Sequence, residues 1–143
     1  MSRITDLWRA GLAPARSGLY RADGSAREAA TDGAALSWFE LGAPLDLDAL
    51  LAEDPEGVTQ IDIHRRCFAK LPDASGYVCG GDGAHGSEGF AARLDTDRNL
   101  VWVVFMADSN PFERVATRGT TAVFFNNLGN SLAIDLTHHD FRA

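Results

Sequence analysis

The chain has 143 residues, of which 45% are hydrophobic and 23% are charged, and its formal net charge at pH 7 is −7. This length predicts a single domain over residues 1–143 that buries roughly two-thirds of its unfolded surface without disulfides or metals. The acidic balance disfavours nucleic acid and membranes as partners, because both present phosphate groups. No apolar run approaches the roughly 18 residues that a membrane-spanning helix needs.

The start of the chain predicts a cytoplasmic protein. Its first nine residues read M-S-R-I-T-D-L-W-R, with an early acid and no uninterrupted apolar stretch. A secretory signal requires such a stretch after a basic start. The only cysteines, Cys67 and Cys79, do not make a disulfide framework, and in the cytosol we expect both to be reduced.

The first 57 residues read mostly as helices. Apolar residues at helical spacing near the start of the chain predict a first helix. These residues are Ile4, Leu7, Trp8 and Leu12. This helix is predicted to end near Gly11. Ser25 and Glu28 form the S-x-x-E pattern of a capping box, which predicts a second helix up to about Asp32. Residues 35–41 are predicted to be a strand or an extended link.

A third helix is predicted to begin at Asp46, whose side chain can cap it, and to end at Pro55-Glu56-Gly57. Five acids and no base fall between residues 46 and 56. They are Asp46, Asp48, Glu53, Asp54 and Glu56. Such a face attracts a basic protein, and the alternative is a solvated helix that only adds solubility.

From Val58 onward the hydrophobic pattern changes to a period of two, which predicts strands. The predicted strands are residues 58–63, 76–79, 90–94, 100–106, 121–125 and 131–136. The continuous apolar run 100–106 predicts a central strand that is covered on both faces. The turn cluster 126–130 makes 121–136 the clearest hairpin. The predicted fold is α+β, an antiparallel sheet of about five to six strands within residues 58–137 with the N-terminal helices packed on one face.

The segment 79–89 reads C-G-G-D-G-A-H-G-S-E-G and predicts a functional loop. Gly81, Gly83 and Gly86 have the G-x-G-x-x-G spacing of a dinucleotide cradle. That interpretation needs a helix after Gly86, which Gly89 would weaken, and a longer strand before it. A connection between two antiparallel strands fits better. Its glycines would then provide backbone freedom.

Zinc and nucleophilic chemistry are further alternatives for this region. His64, Cys67, Cys79 and His85 are ligand types that zinc accepts. On a regular strand His64 and Cys67 point to opposite faces, so a shared site needs a bulge at residues 65–66. A thiolate pair of Cys79 and His85 would have to form within one loop. We predict no catalytic residue and no cofactor, and the sequence alone leaves a zinc site at these four residues open.

The part of the chain from residue 86 to residue 136 has a recognisable cadence. It reads G-S-E-G-F-A-A-R-L-D, then N-L-V-W-V-V-F-M, then S-N-P-F-E-R-V, then N-N-L-G-N-S-L-A-I-D-L. In this cadence it resembles small bacterial immunity proteins that accompany polymorphic or contact-dependent toxins. The resemblance implies a cytosolic, non-enzymatic protein that neutralises one cognate toxin by covering its active site. It assigns no functional residue.

The function predicted from the sequence is a non-enzymatic binding protein, an immunity protein that occludes the active site of a toxin domain with a basic surface. We predict its contact residues from their charge and polarity, and not from the resemblance. They lie in the acidic segment and among the polar side chains that the glycine loop would display. They are Asp46, Asp48, Glu53, Asp54, Glu56, Asp82, His85 and Glu88. The alternative is a small enzyme, or a nucleotide- or metal-binding protein, that uses the loop Gly81–Gly86.

Overall fold

A seven-stranded antiparallel sheet forms the centre of the fold, in a computed structural model that describes residues 2–137. Every neighbouring pair of its strands runs antiparallel. In the order in which they lie side by side, the strands are β4 (Phe39–Leu45), β3 (Ala26–Thr31), β2 (Gly18–Arg21), β9 (Leu100–Met106), β8 (Gly89–Leu94), β7 (Tyr77–Asp82) and β6 (Asp62–Lys70).

Smaller elements cover both faces of this sheet. One face is covered by a three-stranded antiparallel sheet of β10 (Phe112–Arg118), β11 (Thr121–Asn126) and β12 (Ser131–Asp135). The other face is covered by α1 (Arg3–Arg9), α2 (Leu47–Glu53) and a ribbon of β1 (Leu12–Pro14) with β5 (Val58–Gln60). A 3-10 helix, Gly33–Ala35, lies between β3 and β4. The molecule therefore has three layers.

Strand β9 shows how one apolar run serves two cores. Trp102, Val104 and Met106 pack in the core beneath the three-stranded sheet. Val103 and Phe105 pack in the core beneath the helices. Successive side chains of a strand point to opposite faces, so a strand that is covered on both faces is apolar throughout. The prediction that residues 100–106 form a central strand with both faces covered is confirmed.

The α+β class is confirmed, but the strands are more numerous and begin earlier than predicted. Residues 2–137 form twelve strands, and the large sheet takes β2, β3 and β4 from the part of the chain that was predicted to be mostly helical. Helices form where two of the three were predicted, at α1 and α2, and each has seven residues. Neither has the length or the apolar character to cross a membrane. The hairpin predicted at 121–136 is present as β11 and β12.

The helix predicted to begin at Ser25 is wrong, because this segment forms strand β3. The backbone N–H and the hydroxyl of Ser25 donate to Asp23 Oδ1 at 2.8 and 2.7 Å. This local turn closes the β2–β3 hairpin, together with the bond from Arg21 N to Ser25 O. Glu28 accepts from Arg16 Nη2 at 2.9 Å and does not reach back to Ser25. Pairing with β2 and β4 on either side outweighs the capping signal.

A buried asparagine ties the top of the three-stranded sheet to the rest of the molecule. Asn126 Nδ2 donates to Ala34 O at 2.8 Å and to Ser109 O at 2.9 Å. Its Oδ1 accepts from the N–H groups of Leu128 and Asn130, both at 3.0 Å. One side chain therefore satisfies four backbone groups from three segments of the chain.

We predict that Asn126→Leu lowers the free energy of unfolding by about 2–4 kcal/mol, because it leaves buried backbone donors and acceptors without partners. Urea unfolding followed by circular dichroism measures this loss. The control is Asn127→Ala, since Asn127 is exposed and its side chain accepts a surface hydrogen bond from Asn110 Nδ2. A loss for Asn126→Leu no larger than that of the control would contradict the structural role of the four bonds.

Candidate functional site

The starts of α1 and α2 and the turn between β2 and β3 enclose a groove of about 380 Å³. Four carboxylates and one guanidinium line it. These residues are Asp6, Asp23, Asp46, Asp48 and Arg3. We call them the acidic groove. Three separate segments of the chain supply its carboxylates, and only the folded chain brings them together.

Local structure fixes the positions of these carboxylates. Asp46 Oδ1 accepts from Ala49 N at 3.1 Å, so this side chain caps the start of α2. Leu47 and Leu51 are buried and hold the inner face of α2 against the sheet. Asp48 is therefore on the outer face, where it is exposed. The groove is built from short helices whose apolar faces anchor them in the core.

Within residues 2–137, cationic side chains balance the negative charge of the acidic groove only weakly. Asp48 Oδ1 lies 3.8 Å from Arg3 Nε, but both side chains are largely exposed and solvent weakens the pair. Hydrogen bonds from the Ser25 hydroxyl, and then from its amide, hold the pKa of Asp23 below its ordinary value. Asp23 therefore keeps its charge into the acid range. Asp6 and Asp46 form no ion pair within residues 2–137.

The five acids predicted from residues 46–56 are all exposed, and they divide into two groups. Asp46 and Asp48 belong to the acidic groove. Glu53, Asp54 and Glu56 lie at the far end of α2 and in the turn that follows it. A helix of seven residues is about 10 Å long, so the two groups lie at opposite ends of one short element.

The glycine-rich segment is part strand and part loop. Strand β7 runs through Asp82, and β8 begins at Gly89 and pairs with it antiparallel. The prediction of a connection between two antiparallel strands is confirmed, although residues 79–82 belong to the strand itself. Residues 83–94 contain no helix, so the dinucleotide interpretation lacks the helix N-terminus that would bind a pyrophosphate.

Close packing explains two of the three glycines in the G-x-G-x-x-G pattern. A β-carbon on Gly81 would lie 1.9 Å from Asp62 O, on the neighbouring strand β6. A β-carbon on Gly83 would lie 2.2 Å from Glu88 Oε1. Protein atoms thus occupy the space that a ligand would need beside these two residues. Gly86 has nothing within 4 Å of such a β-carbon.

Glu88 faces inward, which corrects the prediction that the loop displays it. It is 7% exposed. Its Oε1 accepts from Thr59 Oγ1 at 3.0 Å and from His85 N at 3.1 Å. Thr59 Oγ1 in turn accepts from Ala84 N at 3.1 Å. The carboxylate of Glu88 organises residues 83–88 from inside, whereas His85 is exposed and Asp82 is half-buried.

The structure does not bring the four residues of the zinc alternative together at one point. Cys67 packs in the core beneath the three-stranded sheet and Cys79 in the core beneath the helices. His64 is half-buried in β6, and His85 is exposed in the loop after β7. Among residues 2–137, no three His, Cys, Asp or Glu side chains are grouped to hold a metal.

Burial also makes the two thiols poor nucleophiles. It raises the pKa of Cys67 and of Cys79 from near 9 to about 12, and the nearby Cys67 adds to the effect at Cys79. A thiol with such a pKa supplies almost no thiolate near neutral pH. The pairing of Cys79 with His85 as a nucleophile therefore has no support in this structure.

Sequence reasoning missed Asp6 and Asp23, which complete the acidic groove. Neither lies in the acidic segment 46–56. The pattern Asp23-Gly24-Ser25 does carry a turn signal, because an Asp side chain commonly bonds to the backbone two residues later. The capping-box pattern overlaps it at Ser25 and led to the prediction of a helix in place of a turn.

We predict that the protein loses stability as the pH rises above about 9. Burial raises the pKa values of Cys67, Cys79 and Tyr20, so the folded state holds these protons more tightly than the unfolded state does. The stabilisation that each protonated group provides is fully present below the pKa that the group has in the unfolded chain. It is lost as the pH rises towards the pKa that the group has in the folded protein. Each thiol should contribute a loss of up to about 1.4 kcal/mol per pH unit in this window.

Urea unfolding at several values between about pH 7.5 and about pH 10.5 measures this loss. The variant Cys67→Ala/Cys79→Ala should lose stability less steeply, whatever its stability at neutral pH. A wild-type protein with constant stability over this range would contradict the prediction.

Comparisons of this chain with protein-family models, with curated proteins and with solved structures find no match. The geometry of the described residues is therefore the basis on which a function can be proposed.

Proposed function

We propose that this chain is a non-enzymatic binding protein whose acidic groove docks a basic surface of a protein partner. The observation that carries this proposal is the gathering of four carboxylates from three chain segments around one guanidinium. A protein with a net charge of −7 has a field that attracts cationic surfaces over a distance. The acidic groove is the site at which a basic surface attracted by this field would bind.

The groups that would carry chemistry support binding over catalysis. Both thiols are buried, with raised pKa values. The carboxylate of Glu88 is occupied by hydrogen bonds from Thr59 of β5 and from His85 of its own loop. Asp82 lies opposite another acid, Asp62, in the β6–β7 pairing. The alternative of an enzyme or nucleotide-binding protein that uses Gly81–Gly86 has no comparable support.

In its most concrete form, the proposed function is that of an immunity protein that neutralises a toxin domain in the cytoplasm of the cell that makes both. The resemblance of residues 86–136 and the acidic groove support this form. A toxin that acts on a polyanion presents a basic substrate groove. Carboxylates of the acidic groove would pair with the lysines and arginines of that groove and exclude its substrate.

The remaining predicted contacts extend this surface. Glu53, Asp54 and Glu56 add negative charge at the far end of α2, where they steer the approach of a basic partner. Asp82 and His85 are proposed as contacts at the edge of the interface. Glu88 acts indirectly, because it fixes the loop that carries His85.

We predict that the double variant Asp6→Lys/Asp48→Lys associates about tenfold or more slowly, at low salt, with a cognate toxin domain sought among the products of the neighbouring genes. These two positions are exposed, and neither carboxylate caps a helix or a turn. The double variant Glu40→Lys/Asp97→Lys is the matched control, since it makes the same change in net charge at exposed positions outside the groove.

Association rates from stopped-flow fluorescence, at low and at physiological salt, measure this effect. The difference between the groove variant and the control should shrink as salt rises, because salt screens exposed charges. Co-expression should also protect cells from that toxin domain. Two results would sink the proposal: no complex between the purified proteins, or equal association rates for the groove variant and the wild type at low salt.

A further inference from the structure

We propose that a second groove, between the edge of the large sheet and the three-stranded sheet, binds the phosphate group of a small anionic ligand. The groove has a volume of about 410 Å³ and lies between strands β6, β10 and β11. Most of its lining is cationic or aromatic. We call its functional residues the arginine groove: His64, Arg65, Arg66, Arg114 and Phe125. This site goes beyond the proposed function and does not depend on it.

A bulge of several residues in β6 forms one wall of the arginine groove. Ile63 pairs with Gly81 and Phe68 pairs with Cys79, so residues 64–67 stand opposite the single residue Gly80. On a regular strand, consecutive side chains point to opposite faces. Here the bulge leaves consecutive arginines, Arg65 and Arg66, exposed and lining the same groove. Bulges commonly re-aim side chains in this way beside functional sites.

The bulge is held in place by close packing beneath it. A β-carbon on Gly80 would lie 2.6 Å from Phe90 O and 2.9 Å from Cys67 Sγ. The missing side chain at Gly80 therefore makes room for Cys67, which is fully buried while the two preceding arginines stay outside. The two arginines thus project from a backbone whose position the core fixes.

The groups in the arginine groove are free to donate hydrogen bonds. Arg65, Arg66 and Arg114 form no ion pair with a carboxylate of residues 2–137. The guanidinium of Arg114 stacks 3.9 Å from the centre of the Phe125 ring, which leaves N–H groups in its own plane to donate. His64 Nδ1 accepts from Arg66 N at 3.3 Å, so a neutral His64 carries its proton on Nε2 and can donate from there.

The balance of charge in this groove is the reverse of that of the whole chain. Glu113 is the one acid in its lining, against three arginines. The chain has 20 acids in all, so partners for these arginines were available in the sequence. Three guanidinium groups around one groove repel one another, and a bound anion removes that repulsion. Such a ligand should stabilise the folded protein, by an amount that rises with the logarithm of its concentration relative to its Kd.

A phosphate group fits these donors better than the other common anions. A phosphate monoester carries a charge between −1.5 and −2 on three oxygens, so it can bond to several guanidinium groups at once. A peptide carboxylate has one charge and two oxygens. An extended nucleic acid would also meet the acids on the rest of the surface, whereas salt screens a compact ligand in the groove from exposed acids more than about 8 Å away. The volume of the groove suits a small molecule.

The test is titration calorimetry of the purified protein with inorganic phosphate and with pyrophosphate at low ionic strength. We expect saturable binding at one site, tighter for pyrophosphate. Arg66→Gln and Arg114→Gln should each weaken it about tenfold or more, since each removes charged hydrogen bonds. Arg118→Gln is the matched control, because Arg118 is an exposed residue of β10 outside the groove. Circular dichroism checks that each variant is folded, and Arg65→Gln replaces any that is not.

Three outcomes would overturn the proposal. The first is the absence of saturable binding of either probe to the wild type. The second is equal weakening by Arg118→Gln, which would mean that net charge alone attracts the anion. The third is that an Asp/Glu-rich hexapeptide or a short single-stranded oligonucleotide binds as tightly as pyrophosphate and is weakened by the same variants. That result would assign the groove to a protein or to a nucleic acid.

Discussion

The central strands β8 and β9 are buried on both faces, and the rest of the fold follows from this constraint. An antiparallel sheet can leave one face in water when that face is polar, but here the apolar residues alternate across both faces. Phe90 and Phe105 pack towards the helices, whereas Ala91 and Val104 pack towards the three-stranded sheet. At about 25 cal/mol per Å² of apolar surface, exposing either face would remove much of the driving force for folding. The chain must therefore supply two covering layers, and its short helices and its last three strands do so.

The same close packing determines where functional side chains can be placed. Strand β7 is rich in glycine because its neighbours approach it closely, not because a ligand does. Gly80 leaves space for the bulge of β6, and that bulge in turn exposes Arg65 and Arg66 side by side. Gly83 leaves space for the carboxylate of Glu88, which holds the following loop. The sequence of this segment resembles a ligand-binding loop. Its buried residues instead leave space for neighbouring strands and side chains, and so determine the shape of the surfaces on either side.

Local signals in the sequence predicted those elements in which pattern and packing agree. The apolar run at β9, the hairpin of β11 and β12 and the two short helices are examples, as is the exposure of the acids around α2. The prediction failed at β3, where a capping box favours a helix but the segment pairs with β2 and β4 on either side. The capping box is a local signal, whereas this pairing depends on other segments of the chain. It also missed half of the carboxylates of the acidic groove and, apart from His64 and a bulge at residues 65–66, the arginine groove. Asp6, Asp23 and Asp46 meet only when helices and a hairpin pack together, and Arg66 meets Arg114 only when β10 lies against β6. No local period encodes such contacts.

The two grooves lie on opposite sides of the large sheet, and their separation preserves the charge of each. The turn after β2 lines the acidic groove and β6 lines the arginine groove. Strands β9, β8 and β7 lie between β2 and β6, so roughly 20 Å of sheet separates the two grooves. This exceeds the screening length of about 8 Å at physiological salt. The carboxylates of one groove therefore neither neutralise the arginines of the other nor compete for the same ligand. A protein with excess acid can keep a cationic site only if the two signs are held apart in this way. The large sheet, which is buried on both faces, also provides this distance, so one chain can carry an acidic groove and a separate cationic groove.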